Sequence, residues 1–184
     1  MTAASDLDRY LSPPRLLAAW PLVAAALSAI MLAIAHGFET FGRLAPCELC
    51  LRQREVYWVA LAVGLIGFVV ARMVRGPKAA AAVCVLLGLV FLYGAGVAAY
   101  HAGVEWKFWP GPQACTGGGA ANAAAIADLL SGDQVAPPRC DQAAWRFGGV
   151  SMAGWNALVS LGLAGLTALV VLRAVARGSI PRAR

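Results

Sequence analysis

Residues 16–35 run for 20 positions without a charged side chain, and long uncharged runs return at 56–71, 79–100 and 152–172. At 1.5 Å per residue, about 20 helical residues cover the apolar thickness of a bilayer. In lipid every backbone N–H and C=O must be paired internally, so such runs fold as helices. The chain has 184 residues, 60% hydrophobic and 13% charged, with a mean hydropathy of +0.70. That leaves too little polar surface for a soluble domain of this length. The expected fold is all-α: an integral membrane four-helix bundle forming a single membrane domain over 1–184.

The run 56–71 is only 16 residues. Its helix is therefore expected to begin earlier, near Cys50, giving spans at about 16–35, 51–71, 79–100 and 152–172. Arg52, Arg54 and Glu55 then sit at headgroup depth, where long side chains snorkel or pair. Ala33-Ile34-Ala35 matches a small-x-small cleavage pattern, but the apolar core before it is longer than that of a usual signal peptide. The first run is expected to be a retained span.

Four spans place both termini on one side. Arg9, Arg15, Arg72, Arg75, Lys78, Arg173, Arg177, Arg182 and Arg184 fall there, nine basic residues in short segments. Six others, Arg43, Arg52, Arg54, Lys107, Arg139 and Arg146, lie on the opposite side, in the longer connections at about 36–50 and 101–151 or, for Arg52 and Arg54, at the mouth of the second span. The positive-inside rule puts the termini in the cytoplasm and these two connections outside, which in a bacterium is the periplasm. The net charge of +6 is thus a topology signal; with no basic stripe, it does not indicate nucleic-acid binding.

Pro46-Cys47-Glu48-Leu49-Cys50-Leu51-Arg52-Gln53-Arg54 carries a C-x-x-C pair at the mouth of the second span. Two thiols at this spacing close and reopen a small disulfide, which suits exchange better than stapling. At a helix start, free N–H groups and the dipole favour a thiolate. Arg54 lies four residues after Cys50 and shares its helix face; Arg52 does not.

Four of the five cysteines, Cys47, Cys50, Cys115 and Cys140, lie in the expected exterior connections; Cys84 lies inside a span. An even number facing an oxidising compartment suggests two disulfides. Of three possible pairings, Cys47 with Cys50 and Cys115 with Cys140 is preferred because the first two are already neighbours. Cys84 reads as a small apolar packer.

Trp106, Phe108 and Trp109 read as an interfacial aromatic belt. Pro110, Pro112 and Gly117-Gly118-Gly119 suggest an irregular, mobile segment around Cys115, and 120–130 a short surface helix. Pro137-Pro138 keeps Cys140 out of a helix, so a Cys115–Cys140 disulfide is expected to lie open to another protein's thiolate. His101 ends the third span at the depth of the C-x-x-C. It is either an interfacial histidine or a proton donor or hydrogen-bond partner for a bound quinone or thiolate. His36 is expected to be interfacial only, and Glu105 solvated.

Taken together, these residues resemble the DsbB family of bacterial inner-membrane disulfide-forming proteins. The resemblance rests on Pro46-Cys47-Glu48-Leu49-Cys50 followed by Arg54, on Tyr100-His101, and on Trp109-Pro110-Gly111-Pro112 before Cys115. Cys140-Asp141, Trp145-Arg146-Phe147 and the run Ser151-Met152-Ala153-Gly154-Trp155-Asn156 complete it. Glu48-Leu49 varies within that family, and Cys84 belongs to none of its motifs.

The resemblance implies a quinone-reducing protein-dithiol oxidoreductase. It would reoxidise a periplasmic thioredoxin-fold thiol oxidase, DsbA-like, and sustain disulfide formation in secreted proteins. The partner's thiolate would attack Cys115, Cys140 would be released and handled by Cys47, and Cys50 would lie closest to the quinone. Cys47, Cys50, Cys115 and Cys140 would be catalytic; Cys50, Arg54 and His101 would contact the quinone. Ubiquinone is expected ahead of menaquinone. A dithiol gives two electrons and a quinone takes two electrons and two protons, so no metal is expected. Each ~30 mV against such a relay costs about 1.4 kcal/mol.

Other classes fit less well. A structural zinc scaffold with an all-cysteine site is the main alternative, but zinc ribbons usually show two close pairs and here there is one. A transporter subunit would show intramembrane polar residues lining a path; the spans carry few beyond Ser28, Ser160 and Thr167. A protein similar to vitamin K epoxide reductase would be expected to carry its C-x-x-C near the last span.

Overall fold

A computed structural model describes residues 13–74, 76–116 and 138–178. The expected glycine-rich segment 117–119 and the surface helix at 120–130 lie outside the described residues. Four long helices make up the fold: α1 Pro13–Thr40, α2 Glu48–Val74, α3 Pro77–Glu105 and α5 Met152–Ala176. Each is long and apolar enough to cross a membrane. Between α3 and α5 lie one helical turn, α4 (Gln113–Thr116), and two antiparallel two-residue strands, β1 (Arg146–Phe147) and β2 (Val150–Ser151).

The helix ends follow from local chemistry. Gly76 precedes α3 and Pro77 occupies its first position, where a missing N–H costs nothing. Ser151 caps α5, its hydroxyl accepting from the Gly154 N–H at 3.1 Å. Gly148 and Gly149 join β1 to β2 with φ of 57° and 81°, the left-handed values that a two-residue hairpin turn requires.

Lipid tails are as apolar as leucine, so these helices gain little by hiding leucines from lipid and associate through close packing. Gly64 of α2 makes this possible against α1: a Cβ there would stand 2.6 Å from the Pro21 carbonyl oxygen. Gly94 of α3 does the same against Val56 of α2. Phe91, Leu87 and Ala60 fill the centre, while Ile30, Ile66, Leu89 and Leu161 point outward as a lipid-facing coat. Trp20 donates its indole N–H to the Thr167 hydroxyl at 2.9 Å, tying α1 to α5.

Cys84 proves more than a packer. Pro21 sits inside α1 and has no N–H to donate to the Leu17 carbonyl. The Cys84 thiol of α3 donates to that oxygen at 3.8 Å. A thiol on one helix thus satisfies the carbonyl that proline orphans on another.

The helices also run past the expected spans. α1 continues to Thr40 and α2 begins at Glu48, so about half of the connection read as 36–50 is helical. α3 continues through His101 to Glu105. Intrahelical bonding is the cheapest way to satisfy backbone groups leaving the apolar layer, so a helix need not stop where hydropathy does.

Candidate active site

At one end of the bundle the start of α2, the end of α3 and the segments around Cys115 and Cys140 close on each other. Cys47, Leu49, Val104, Cys115 and Cys140 form one buried cluster with Cys50 at its edge. Cys115 and Cys140 are joined as a disulfide, and the Cys140 N–H donates to the Cys115 carbonyl at 3.1 Å. The Sγ atoms of Cys47, Cys115 and Cys140 all lie within 4.8 Å of one another. The two cysteine pairs, more than sixty residues apart in the chain, are therefore neighbours in space.

Cys47 is the N-cap of α2. Its carbonyl accepts from the Leu51 N–H at 3.0 Å, and its sulfur accepts from the Cys50 N–H at 3.4 Å, where serine would place its hydroxyl. Cys47 and Cys50 are free thiols with Sγ atoms 2.9 Å apart, less than about 1 Å from bonding distance. The hydrogen bond shared with Cys50, and after it burial, push the Cys47 thiol above its ordinary value.

His101 stands beside this pair, Nε2 3.7 Å from Cys47 Sγ and 3.8 Å from Glu105 Oε1. Glu105 was expected to be solvated, yet its side chain is 5% exposed, and among the described residues no group lies within hydrogen-bond reach of Oε2. It is buried because α3 carries it one turn beyond His101, into the end of the bundle where the Ser151 hydroxyl and the Arg146 charge act on it. His36, by contrast, bonds its own helix at the Leu32 carbonyl and meets the edge of Trp58.

Arg54 turns inward, and Arg52 pairs at the surface with Glu55 at 3.5 Å. The Arg54 guanidinium donates to Glu39 of α1 and, at 3.1 Å, to the Ala35 carbonyl. Glu39 carried no signal in the sequence, since nothing in its neighbourhood marks it as the partner of a residue fifteen positions on.

A cavity of about 380 Å³ opens beside the thiols. Cys47, Cys50, Gln53, Arg54, His101 and Asn156 supply its polar wall; Met31, Leu32, Ile34 and Phe38 of α1 supply an apolar one. Trp145 packs on Phe38, with ring centres 5.2 Å apart, and closes the top. The expected cofactor-contact residues, Cys50, Arg54 and His101, thus line one space.

The disulfide is less open than expected: both Cys115 and Cys140 are buried. They pack on Cys47 and Val104, and the Cys140 end is held by Asp141. The Asp141 carboxylate takes Arg139 at 2.9 Å and Lys107 of the α3 end at 2.6 Å, and these hydrogen bonds lower it to about 2. The aromatic belt is exposed, with Trp109 stacked on Tyr100 and its indole N–H donated to the Tyr100 carbonyl.

Cys47, Cys50 and His101 also bring three metal-ligating atoms together. An all-cysteine site is depleted here, because the disulfide takes two of its four sulfurs. A disulfide and a free C-x-x-C thiol pair within reach of each other are what thiol–disulfide exchange needs.

A family model described as "Disulfide bond formation protein DsbB" matches residues 17–170. The chain belongs to the DsbB family. It is also 30% identical to a "Disulfide bond formation protein B" of Dechloromonas aromatica (strain RCB), over 78% of this chain and 85% of that relative. As a DsbB-family chain with four membrane-length helices, it is a multi-pass membrane protein of the disulfide-forming machinery.

Proposed function

We propose that the protein reoxidises a periplasmic DsbA-like dithiol oxidase and passes the electrons to membrane quinone. The observation that carries this reading is the contact of the two cysteine pairs beside a cavity between helices. An exchange relay needs sulfurs within a short approach, and a lipid-borne acceptor needs a site at the bundle surface.

The residues fit a quinone head. A flat, largely apolar ring with two carbonyl acceptors matches an apolar α1 wall facing N–H donors. Arg54 has five N–H donors, and its recorded bonds to Glu39 and Ala35 do not exhaust them. Arg54, His101 and Cys50 would hold the head. A bound quinone supplies a two-electron, two-proton acceptor; ubiquinone is proposed ahead of menaquinone.

The chain's own steps are thiol exchanges. The partner's thiolate forms a bond to Cys115, and the Cys115–Cys140 bond breaks with its electron pair on Cys140. The Cys140 thiolate then bonds to Cys47 of an oxidised Cys47–Cys50 pair, and the pair of electrons moves to Cys50. Cys50 lines the cavity, and Arg54, one helical turn on, offers it a positive charge. Burial of Cys115 implies that the partner must displace the covering segment as it docks.

In this reading 1–184 is a single membrane domain, the connections 36–50 and 101–151 face the periplasm, and both termini are cytoplasmic. The basic residues of the short segments support that orientation. The test is quinone reduction by purified protein with a reduced DsbA-like protein as donor. Turnover is expected; its absence with ubiquinone and with menaquinone overturns the proposal.

A further inference from the structure

A line of polar side chains runs from the bundle interior to Cys47. Tyr57 of α2 donates to Asn156 Oδ1 of α5 at 2.5 Å and meets the Ser160 hydroxyl at 2.9 Å. Asn156 Nδ2 donates to Gln53 Oε1. Gln53 Nε2 donates to the Leu49 carbonyl at 3.2 Å and stands 2.7 Å from His101 Nδ1.

The direction of this line is fixed. A backbone carbonyl only accepts, so the Gln53 atom beside Leu49 O must be its NH₂ nitrogen. That same nitrogen faces His101 Nδ1, and an amide nitrogen only donates, so Nδ1 must be the bare nitrogen of the ring. In the neutral imidazole the proton is then on Nε2. The groups around the ring agree: Cys47 Sγ and Glu105 Oε1 lie near Nε2, and the Cys140 carbonyl also faces the ring. All three accept.

We propose that Gln53 is a positioning residue that holds His101 as the Nε2–H tautomer, making the ring a hydrogen-bond donor to Cys47 rather than its base. Asn156 and Tyr57 brace Gln53 from behind. Protonating Nδ1 would set an N–H against the Gln53 NH₂, and relief would require the Gln53 and Asn156 amides to turn over together. His101 therefore stays neutral while charge comes and goes on the sulfur beside it.

The proposal deepens the relay reading and rests on it for Cys47's task. When the Cys115 thiolate re-forms its bond to Cys140, the Cys140–Cys47 bond breaks with its electron pair on Cys47, and the Nε2–H meets it. The other ionisable and charged groups facing this point are Cys50, Tyr57 and Arg54 of α2, and Glu105 of α3. Arg139 lines the cavity, and Arg146 of β1 stands near Glu105.

Two measurements test it, and neither needs quinone or partner, so their failure is distinct from failure of the relay. The chain has two histidines, and a His36→Asn variant assigns the second. In ¹⁵N-histidine-labelled full-length protein, His101 should show a protonated Nε2 and a bare Nδ1 at neutral pH. A protonated Nδ1 overturns the proposal, whether or not any Gln53 variant folds.

The second measurement follows Cys47 alkylation by iodoacetamide against pH. In a Cys50→Ala, Cys84→Ala background with Cys115–Cys140 oxidised, Cys47 is the one free thiol. Gln53→Leu should slow the reaction about tenfold at neutral pH and move the profile to higher pH, the scale of a charge-assisted hydrogen bond. Gln53→Glu should instead draw the proton to Nδ1 and leave a bare Nε2 that takes the Cys47 proton, so reactivity returns as an imidazolium–thiolate pair with a changed pH profile. Unchanged profiles in both variants overturn the proposal.

Discussion

Arg54 of α2 and Glu39 of α1 form an ion pair across the helix interface, at the edge of the cavity that Cys50 faces. The cation nearest the proposed quinone head is therefore braced by an acid from another helix. Removing Glu39 should free the guanidinium both to move and to act with its full charge.

For this pair, Arg54→Ala should raise the quinone KM about tenfold while mixed-disulfide formation through Cys115 persists. Arg54→Lys should rescue in part, because it keeps the charge and loses the planar fork. Glu39→Gln should raise KM less than Arg54→Ala does. Arg52→Ala, whose side chain is exposed, is the control. Equal KM changes in Arg52→Ala and Arg54→Ala would remove Arg54 from the quinone site.

Among the cysteines, Cys47→Ser and Cys50→Ser should each abolish thiol-driven quinone reduction. Cys115→Ser should prevent the mixed disulfide with the partner, and Cys140→Ser should prolong it by removing the resolving thiol. Non-reducing gels read both. Equal adduct in the Cys115 and Cys140 variants would reverse or void the assigned order.

Asp141 gives a pH prediction. Arg139 and Lys107 hold its folded-state value at about 2, below the ordinary 3.8. A depressed acid contributes stability above its unfolded value and loses it as pH falls through the folded one. The clamp on the Cys140 segment is therefore intact above about pH 4 and released towards pH 2. Reduction of Cys115–Cys140 by a phosphine should accelerate over that window, relative to Asp141→Asn, which should lack the step. The partners are solvent-exposed lysine and arginine, so the effect is modest and falls with salt.

Cys84 and Pro21 should be coupled. Cys84→Ala leaves the Leu17 carbonyl unpaired and should destabilise the bundle by about 1 kcal/mol. In a Pro21→Ala background the helix supplies its own N–H, and the same substitution should cost less. Unfolding in detergent, run as a double-mutant cycle, measures the difference; full additivity would show that the thiol serves only as filler.

The four helices and the C-x-x-C at a helix mouth were legible in the sequence because both are local. A long uncharged run has few ways to fold in lipid, and a two-residue gap needs no tertiary contact to be read. Arg54 was legible for the same reason, through its spacing from Cys50. The burial of Glu105 was not legible because it depends on α3 continuing past His101 into the packed end of the bundle, where the strand pair arrives from far along the chain. Asn156 was visible only as the end of a run that carries the family resemblance, and Gln53 as part of the C-x-x-C stretch; that the two amides meet depends on packing α2 against α5. The burial of Cys115 and Cys140 likewise depends on contacts with Cys47 and Val104 that spacing cannot display.

Cys47 places one sulfur under two obligations. In the proposed relay it is the atom that trades partners, and it is also the acceptor that ends the backbone of α2 at the Cys50 N–H. A thiolate accepts that N–H strongly, and a sulfur engaged in a bond to Cys140 accepts it weakly. Each exchange at Cys47 is therefore felt as a tightening or loosening of the first helical turn. Amide hydrogen exchange at Cys50 should slow and quicken in step with the redox cycle, so the end of a helix keeps a backbone record of where the electrons are.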